Sequence, residues 1–347
     1  LFKAYEMGVQ VKFTPISTER YNDWVALQGK DRHIVTVLGR KITAEEVSCI
    51  TQEIANQGLN IDSIKRLTGR IPLNSENGNE SRACIELSVR GTLKNRDEMH
   101  ANFMSLSASL GVDISFQKDN MYRRNRRLIC FDMDSTLIQT EVIDELAERA
   151  GVGDKVKAIT ESAMRGEIDF SESFKQRVAL LKGLDESVMQ DIANHLPIMD
   201  GADRLMSILK KCGFKIAILS GGFTYFGNTL KNRFGIDYVY ANELEIQNGK
   251  LTGKYVGDIV DGKRKAELLR LIAQVENIDL EQVIAVGDGA NDLPMLNLAG
   301  LGIAFHAKPK VKANARQSIS TIGLDGVLYF LGFRDSHIDE HNKHLNI

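Results

Sequence analysis

The run Leu128-Ile129-Cys130-Phe131-Asp132-Met133-Asp134-Ser135-Thr136 decides the fold. Four apolar residues stop at two aspartates set two apart, and small hydroxyl residues follow. A short apolar run of this kind reads as a strand buried on both faces. In a doubly wound α/β sheet the chain leaves such a strand at the edge where ligands bind. A backbone turn at Asp132 would bring both carboxylates toward one small volume. Asp and Ser are also common turn formers, so the stretch alone leaves a plain turn open.

Three later stretches repeat the pattern. Lys215-Ile216-Ala217-Ile218-Leu219 is a second apolar strand, ended by Ser220-Gly221-Gly222. Asp261-Gly262 leads into an amphipathic helix bearing Lys265. Val283-Ile284-Ala285-Val286 is a third strand, ending in Gly287-Asp288-Gly289-Ala290-Asn291-Asp292. Together these ends supply acids, hydrogen-bond donors suited to a phosphate, and one cation.

In this order the four stretches resemble the motifs of the haloacid dehalogenase superfamily. From about Arg127 to Leu331 the chain is similar to the branch that hydrolyses O-phospho-L-serine. The resemblance implies an α/β fold, a Rossmann-like doubly wound parallel sheet with a helical cap. It also implies a magnesium-dependent phosphomonoester hydrolase forming L-serine in the last step of serine biosynthesis, while the scattered, unpaired cysteines read as those of a cytoplasmic protein.

A phosphomonoester carries about two negative charges and repels an anionic nucleophile, so the site must supply positive charge. Asp132 and Asp288 are oxygen ligands suited to a hard cation such as Mg²⁺. The resemblance adds the Asp134 backbone carbonyl as a ligand and Asp292 behind it. Lys265 brings a fixed positive charge. The Ser220 hydroxyl and Gly221 amide can donate to phosphate oxygens, and Asn291 resembles a phosphate-site residue that also suits a helix N-cap. Asp132 is then the nucleophile, forming an aspartyl phosphate, and Asp134 the general acid and base.

Between the first two stretches, residues 141–195 read as helices. Val142, Leu146 and Ala150 recur at helical spacing, and Phe174, Val178 and Leu181 form another apolar stripe from a helix opened by Ser171. The resemblance makes this insertion a cap and matches Glu141, Met164, Phe170 and Arg177 to substrate-contacting positions. Glu141 would face an ammonium and Arg177 a carboxylate. Helix periodicity by itself reads Glu141 and Arg177 as exposed charges and Met164 and Phe170 as cap core.

Ahead of this domain, residues 31–120 read as β-α-β-β-α-β, the ferredoxin-like arrangement. Thr43-Ala44-Glu45-Glu46 is a capping box opening the first helix, and Gly58 and Gly111 suit the two helix ends. The segment resembles an ACT domain, with Gly39-Arg40-Lys41-Ile42 as the loop that would hold an amino acid. Whether it takes L-serine, forms a homodimer or only stiffens the enzyme stays open. Residues 1–30 remain unassigned, although Gly8–Phe13 alternates like a strand. Residues 121–127 read as a solvated linker, and 128–347 as the phosphatase domain. Pro72–Ser81 is a polar loop.

Composition narrows the classes. The chain has 347 residues, 43% hydrophobic and 26% charged, ordinary for a globular protein of two or three domains. A formal charge of −2 gives no global attraction to nucleic acid or anionic membrane. Four arginines in Met121–Arg127 invite a nucleic-acid reading, but no stacking aromatics interleave them. Cys49, Cys84, Cys130 and Cys212 form no C-x-x-C pair and read as reduced thiols. His195 and His306 belong to no metal-spaced cluster. No apolar stretch approaches the roughly 18 residues of a membrane span. Two other readings remain: a phosphatase of another small phosphomonoester such as a sugar phosphate, and an amino-acid-sensing regulator.

Overall fold

The computed structural model describes residues 8, 12, 14–27, 31–69 and 81–338. The strand-like reading of Gly8–Phe13 and most of the loop Pro72–Ser81 fall outside them. A helix at Thr18–Leu27, not read from sequence, precedes the first domain. Among the described residues no helix is long and apolar enough to cross a membrane.

The first domain is a four-stranded antiparallel sheet in the order β2-β3-β1-β4. Its strands are β1 (Arg32–Gly39), β2 (Asn60–Arg66), β3 (Ala83–Arg90) and β4 (Asp113–Lys118). The expected capping box is present: Thr43 Oγ1 accepts from Glu46 N, and the Glu46 carboxylate accepts from Thr43 N. Gly111, at φ 66°, ends the second helix in the left-handed conformation. Val35, Val37, Leu87 and Val89 pack against Ile50, Ile54, Met99 and Phe103 from the two helices.

The second domain is built on a seven-stranded sheet in the order β11-β10-β9-β5-β6-β7-β8. The central strands are β5 (Leu128–Phe131), β6 (Lys215–Phe223) and β9 (Val283–Gly287), all parallel. Alternate residues go to opposite faces. Ile129, Phe131, Ile216, Ile218, Ile284 and Val286 join one core, while Leu128, Cys130, Ala217, Leu219, Val283 and Ala285 join the other. This period of two explains why the strands are apolar throughout: both faces are covered by helices. β7 (Tyr238–Gln247) and β8 (Lys250–Val256) form an antiparallel hairpin through Asn248 and Gly249, at φ 52° and 75°. Two consecutive positive φ values are what a tight hairpin turn requires. β10 (Leu301–Phe305) and β11 (Gln317–Ile319) complete the other side. β11 stops at Ile319, where Ser320 N and Thr321 N turn away to donate to Asp113.

Four helices span the insertion: Val142–Arg149, Gly153–Met164, Phe170–Ala179 and Ser187–Asn194. The third opens at Phe170, one residue before Ser171, because Asp169 caps it by accepting from Glu172 N. Phe174, Val178 and Leu181 are buried as their spacing requires.

The two domains share a tight junction. The Asp113 carboxylate of β4 accepts from Ser320 N, Thr321 N and Thr321 Oγ1 at 2.8, 2.9 and 2.6 Å. The Gln317 side chain bonds both Phe116 N and Phe116 O, as a neighbouring strand would. Arg204 ties Asp325 to Asp335, and Arg82 also pairs with Asp325. The solvated-linker reading of residues 121–127 is overturned at two positions. Arg123 and Arg126 are 3% and 8% exposed. Arg123 reaches Glu86 of β3, and Arg126 donates to the carbonyls of Glu281 and Gly300. A local sequence reading cannot see these partners, which lie far away along the chain.

Candidate active site

β9, β5 and β6 are adjacent, so their carboxyl ends deliver Asp288, Asp132 and Ser220 to one edge of the sheet. Asp132 N continues the ladder to Val286 O, and the Asp132 side chain folds back so that Oδ1 accepts from Met133 N at 2.8 Å. The chain then turns tightly, with Ser135 at φ 56°. A non-glycine residue there is uncommon and marks a constrained turn. The turn holds Asp134 inside, where Oδ1 accepts from Val142 N at 3.3 Å.

Lys265 is fully buried in the helix Gly262–Val275. Its ammonium lies 2.9 Å from Asp132 Oδ1 and 2.7 Å from Asp292 Oδ1. Asp292 Oδ2 in turn accepts from Gly289 N at 2.9 Å. Carboxylate oxygens of Asp132, Asp288 and Asp292 lie within 4.8 Å of one another. Thr136 Oγ1 donates to Asp288 Oδ1 at 3.2 Å.

So many acids in one place shift one another. Burial, then Asp132, Asp292 and Glu141, push the Asp288 carboxyl up to about 8. Burial and Asp132 also raise Asp292, with Lys265 opposing. Burial, Glu141 and Asp132 hold Asp134 well above the ordinary carboxylate range. Burial acts against the Lys265 ammonium, but Asp132 and Asp292 outweigh it and raise its pKa. A cluster of buried, mutually repelling hard oxygen donors fits a divalent cation. Both Asp292 oxygens are already engaged, one by Lys265 and one by Gly289 N, which suits a place behind Asp132 and Asp288.

Ser220 is fully buried, and its Oγ accepts from Gly222 N at 3.0 Å, leaving the hydroxyl proton to donate. Glycine is required beside it. A Cβ on Gly221 would lie 2.8 Å from Phe170 Cζ, and one on Gly222 would meet Asp134 Oδ2. Phe170 therefore covers the Ser220 loop from the cap. Asn242, 2% exposed, was not foreseen: Nδ2 donates to Gly221 O at 2.8 Å and Oδ1 accepts from Val260 N at 2.9 Å. It joins the Ser220 loop to the segment leading into the Lys265 helix. A polar residue inside the β7 strand was the one sequence signal for it.

In the cap, Glu141 precedes the first helix, and its Oε1 accepts from Ser135 Oγ at 2.8 Å. Glu141 is exposed, yet burial of its carboxyl among neighbouring atoms raises its pKa. Arg177 is half-buried. Burial lowers its pKa, while Glu141, Asp144 and Asp134 act in the opposite direction through their charge. Glu141 and Arg177 are thus both near enough to Asp134 to interact with it through their charges. Met164 is exposed, its sulfur 3.7 Å from Lys308 Nζ on the core. Asn291 lies in a short 3-10 turn, and the helix Leu293–Leu298 has no side-chain cap, so the N-cap reading of Asn291 is not realised. His195 is exposed and bonds Asp191 O, whereas the His306 ring bonds Ile322 O behind β10.

The site can therefore hold a cation, set the Asp132 carboxyl close to an acid held well above its ordinary range, and offer donors to an anion. The family described as haloacid dehalogenase-like hydrolase matches residues 126–300, and an ACT domain matches residues 31–117. A phosphoserine phosphatase of Streptomyces coelicolor is 42% identical over 312 residues, covering 90% of this chain and 73% of that protein. Among solved structures, a HAD family hydrolase of Salmonella enterica serovar Typhi superposes with a TM-score of 0.71 at 31% identity, over 86% of this chain and 98% of that one. An unliganded probable phosphoserine phosphatase of Vibrio cholerae gives 0.66 at 33%, over 86% of each chain.

Proposed function

Because the chain belongs to the haloacid dehalogenase-like hydrolases, we propose that it is a phosphoric monoester hydrolase that converts O-phospho-L-serine to L-serine and phosphate. What supports this substrate is that Glu141 and Arg177, an acid and a base of the cap, are both within range of the Asp134 charge and of each other. An amino-acid phosphomonoester has an ammonium for the first, a carboxylate for the second and a phosphoryl group for the floor. A simple sugar phosphate has neither an ammonium nor a carboxylate to pair with these cap charges.

Asp132 and Asp288, with the Asp134 main-chain carbonyl, would hold a divalent cation, Mg²⁺ in this reading, and Asp292 would support them. Bound there, it would screen the charge of the phosphoryl group. Lys265, Ser220 Oγ and the Gly221 amide then bind the phosphoryl oxygens, and Asn291 lines the same pocket. Asp132 attacks phosphorus and the ester oxygen leaves, giving an aspartyl phosphate. Asp134, kept protonated by burial and by Glu141, gives its proton to that oxygen. Asp134 next takes a proton from water, which attacks phosphorus and frees Asp132. Phe170 and Met164, on the cap, exclude bulk water and shape the entrance.

The ACT domain supports two further readings. L-serine would bind at the loop 39–42. A homodimer formed by pairing sheet edges would use β2, because Gln317 covers β4.

The test is phosphate release from O-phospho-L-serine and from phenyl phosphate by the wild type and by Arg177→Ala, with Mg²⁺ and with chelator. Loss of about 2–5 kcal/mol in kcat/KM is expected for phosphoserine alone, the cost of leaving a buried charge unpaired. Equal losses on both substrates would remove the carboxylate-pairing role.

A further inference from the structure

At the amino ends of β5 and β6, away from the catalytic edge, lies a second cleft of about 280 Å³. Its walls are the linker from Arg123 to Arg127, the turn at Cys212 before β6, and the stretch around Gly332 and His337. Four arginines and a histidine line it, and among the described residues no Asp or Glu does. The chain as a whole carries −2, so this concentration of positive charge is local.

Two of the arginines are buried rather than solvated. Arg123 has one carboxylate partner, Glu86, at 2.7 Å. Arg126 has only carbonyl partners, Glu281 O and Gly300 O, and burial pushes its pKa down to about 10. The Nε atoms of both are buried with no hydrogen-bond partner. A buried guanidinium without a carboxylate is costly unless an anion comes to it. Arg124 and Arg127 are exposed at the mouth and provide two more forks of the geometry that fits phosphate. The volume suits a small ligand, below the usual range of about 300–1,000 Å³ for drug-sized sites.

We propose that this cleft is a binding site for a small phosphate-bearing anion of two or more charges. Its place gives it a consequence. Arg123 holds β3 of the ACT domain, and Arg126 holds the chain at the starts of β9 and β10. An anion bridging the two arginines fastens one domain to the other from the side opposite the catalytic edge.

The probe is inorganic pyrophosphate, titrated by calorimetry into the full chain with all divalent cations removed. Under that condition no divalent cation can bridge the probe to Asp132 and Asp288. Cys212 is exposed in the cleft, so the alkylation rate of its peptide, followed by mass spectrometry, is a local reporter. Saturable one-to-one binding and protection of Cys212 are expected. Both should weaken by more than about tenfold in the double variant Arg124→Glu/Arg127→Glu, whose positions are exposed and leave the buried pair intact. Absence of saturable binding, unaltered binding in that variant, or an unchanged Cys212 rate would overturn the site. So would loss of binding in Arg177→Ala, which would place the probe in the catalytic cleft. Salt-sensitive capture of a single-stranded oligonucleotide with no pyrophosphate binding would overturn the small-anion assignment.

Discussion

Replacing Lys265 by methionine removes a buried cation from the floor of the active site while nearly keeping the volume of the side chain. The ammonium sits 2.9 Å from Asp132 Oδ1 and 2.7 Å from Asp292 Oδ1, with no solvent exposure. At an effective dielectric of about 20, each pair attracts by about 6 kcal/mol, much of it offset by the desolvation of three charges. Deleting one partner of a buried pair costs about 3–5 kcal/mol, because the charge left behind has lost its compensation. The variant has a way to lower that cost, since Asp132 or Asp292 can take up a proton. The sign follows: the folded variant then binds more protons than its unfolded chain, so its stability falls as pH rises. Urea unfolding of wild type and Lys265→Met, without divalent cation, at about pH 5.5 and about pH 8 measures both effects. We expect a small defect at the lower pH and about 3–5 kcal/mol at the higher. A defect below about 1 kcal/mol, equal at both pH values, would refute the account of Lys265 as the neutralising charge.

Three other outcomes follow from the same geometry. Asp134→Asn should reduce kcat by about 10²–10⁴-fold while an aspartyl phosphate still forms on Asp132, and phosphate found on residue 134 in the wild type would reverse the roles. With Asp288 pushed up to about 8, the metal-free protein should lose stability as pH rises from about 4 through that value, and cation binding near neutral pH should release a proton. Binding heats at about pH 7 that do not vary with the ionisation enthalpy of the buffer would contradict this. Gly222→Ala places a methyl against Asp134 Oδ2 and 2.8 Å from Met133 Cε, so kcat should fall and stability drop by about 1–3 kcal/mol; wild-type turnover would show that Asp134 needs no such fit.

Much of the floor of the site was legible in the sequence because its signals are local. An apolar run ending in acids or glycines marks both a strand and its carboxyl end, and the order of such runs identified the sheet. Lys265 was legible as a residue but not as a bridge between Asp132 and Asp292, which lie 133 positions before it and 27 after it. Glu141 and Arg177 read as surface charges from periodicity, and only resemblance to a family made them a pair. Asn242 and Thr136 were missed as functional, since their roles exist only through partners on other elements.

What the sequence determined by itself was the alternation of apolar strands with helices, the four polar strand ends and the two-domain order. Each is a property of neighbours within about a dozen residues, where hydrophobic periodicity and turn chemistry operate. The tertiary structure decided which charges are buried and against what. Arg123 and Arg126 look like solvated linker residues until Glu86, Glu281 and Gly300 are brought beside them. The physical reason is that desolvation and charge pairing depend on distance in space, whereas a sequence records only distance along the chain.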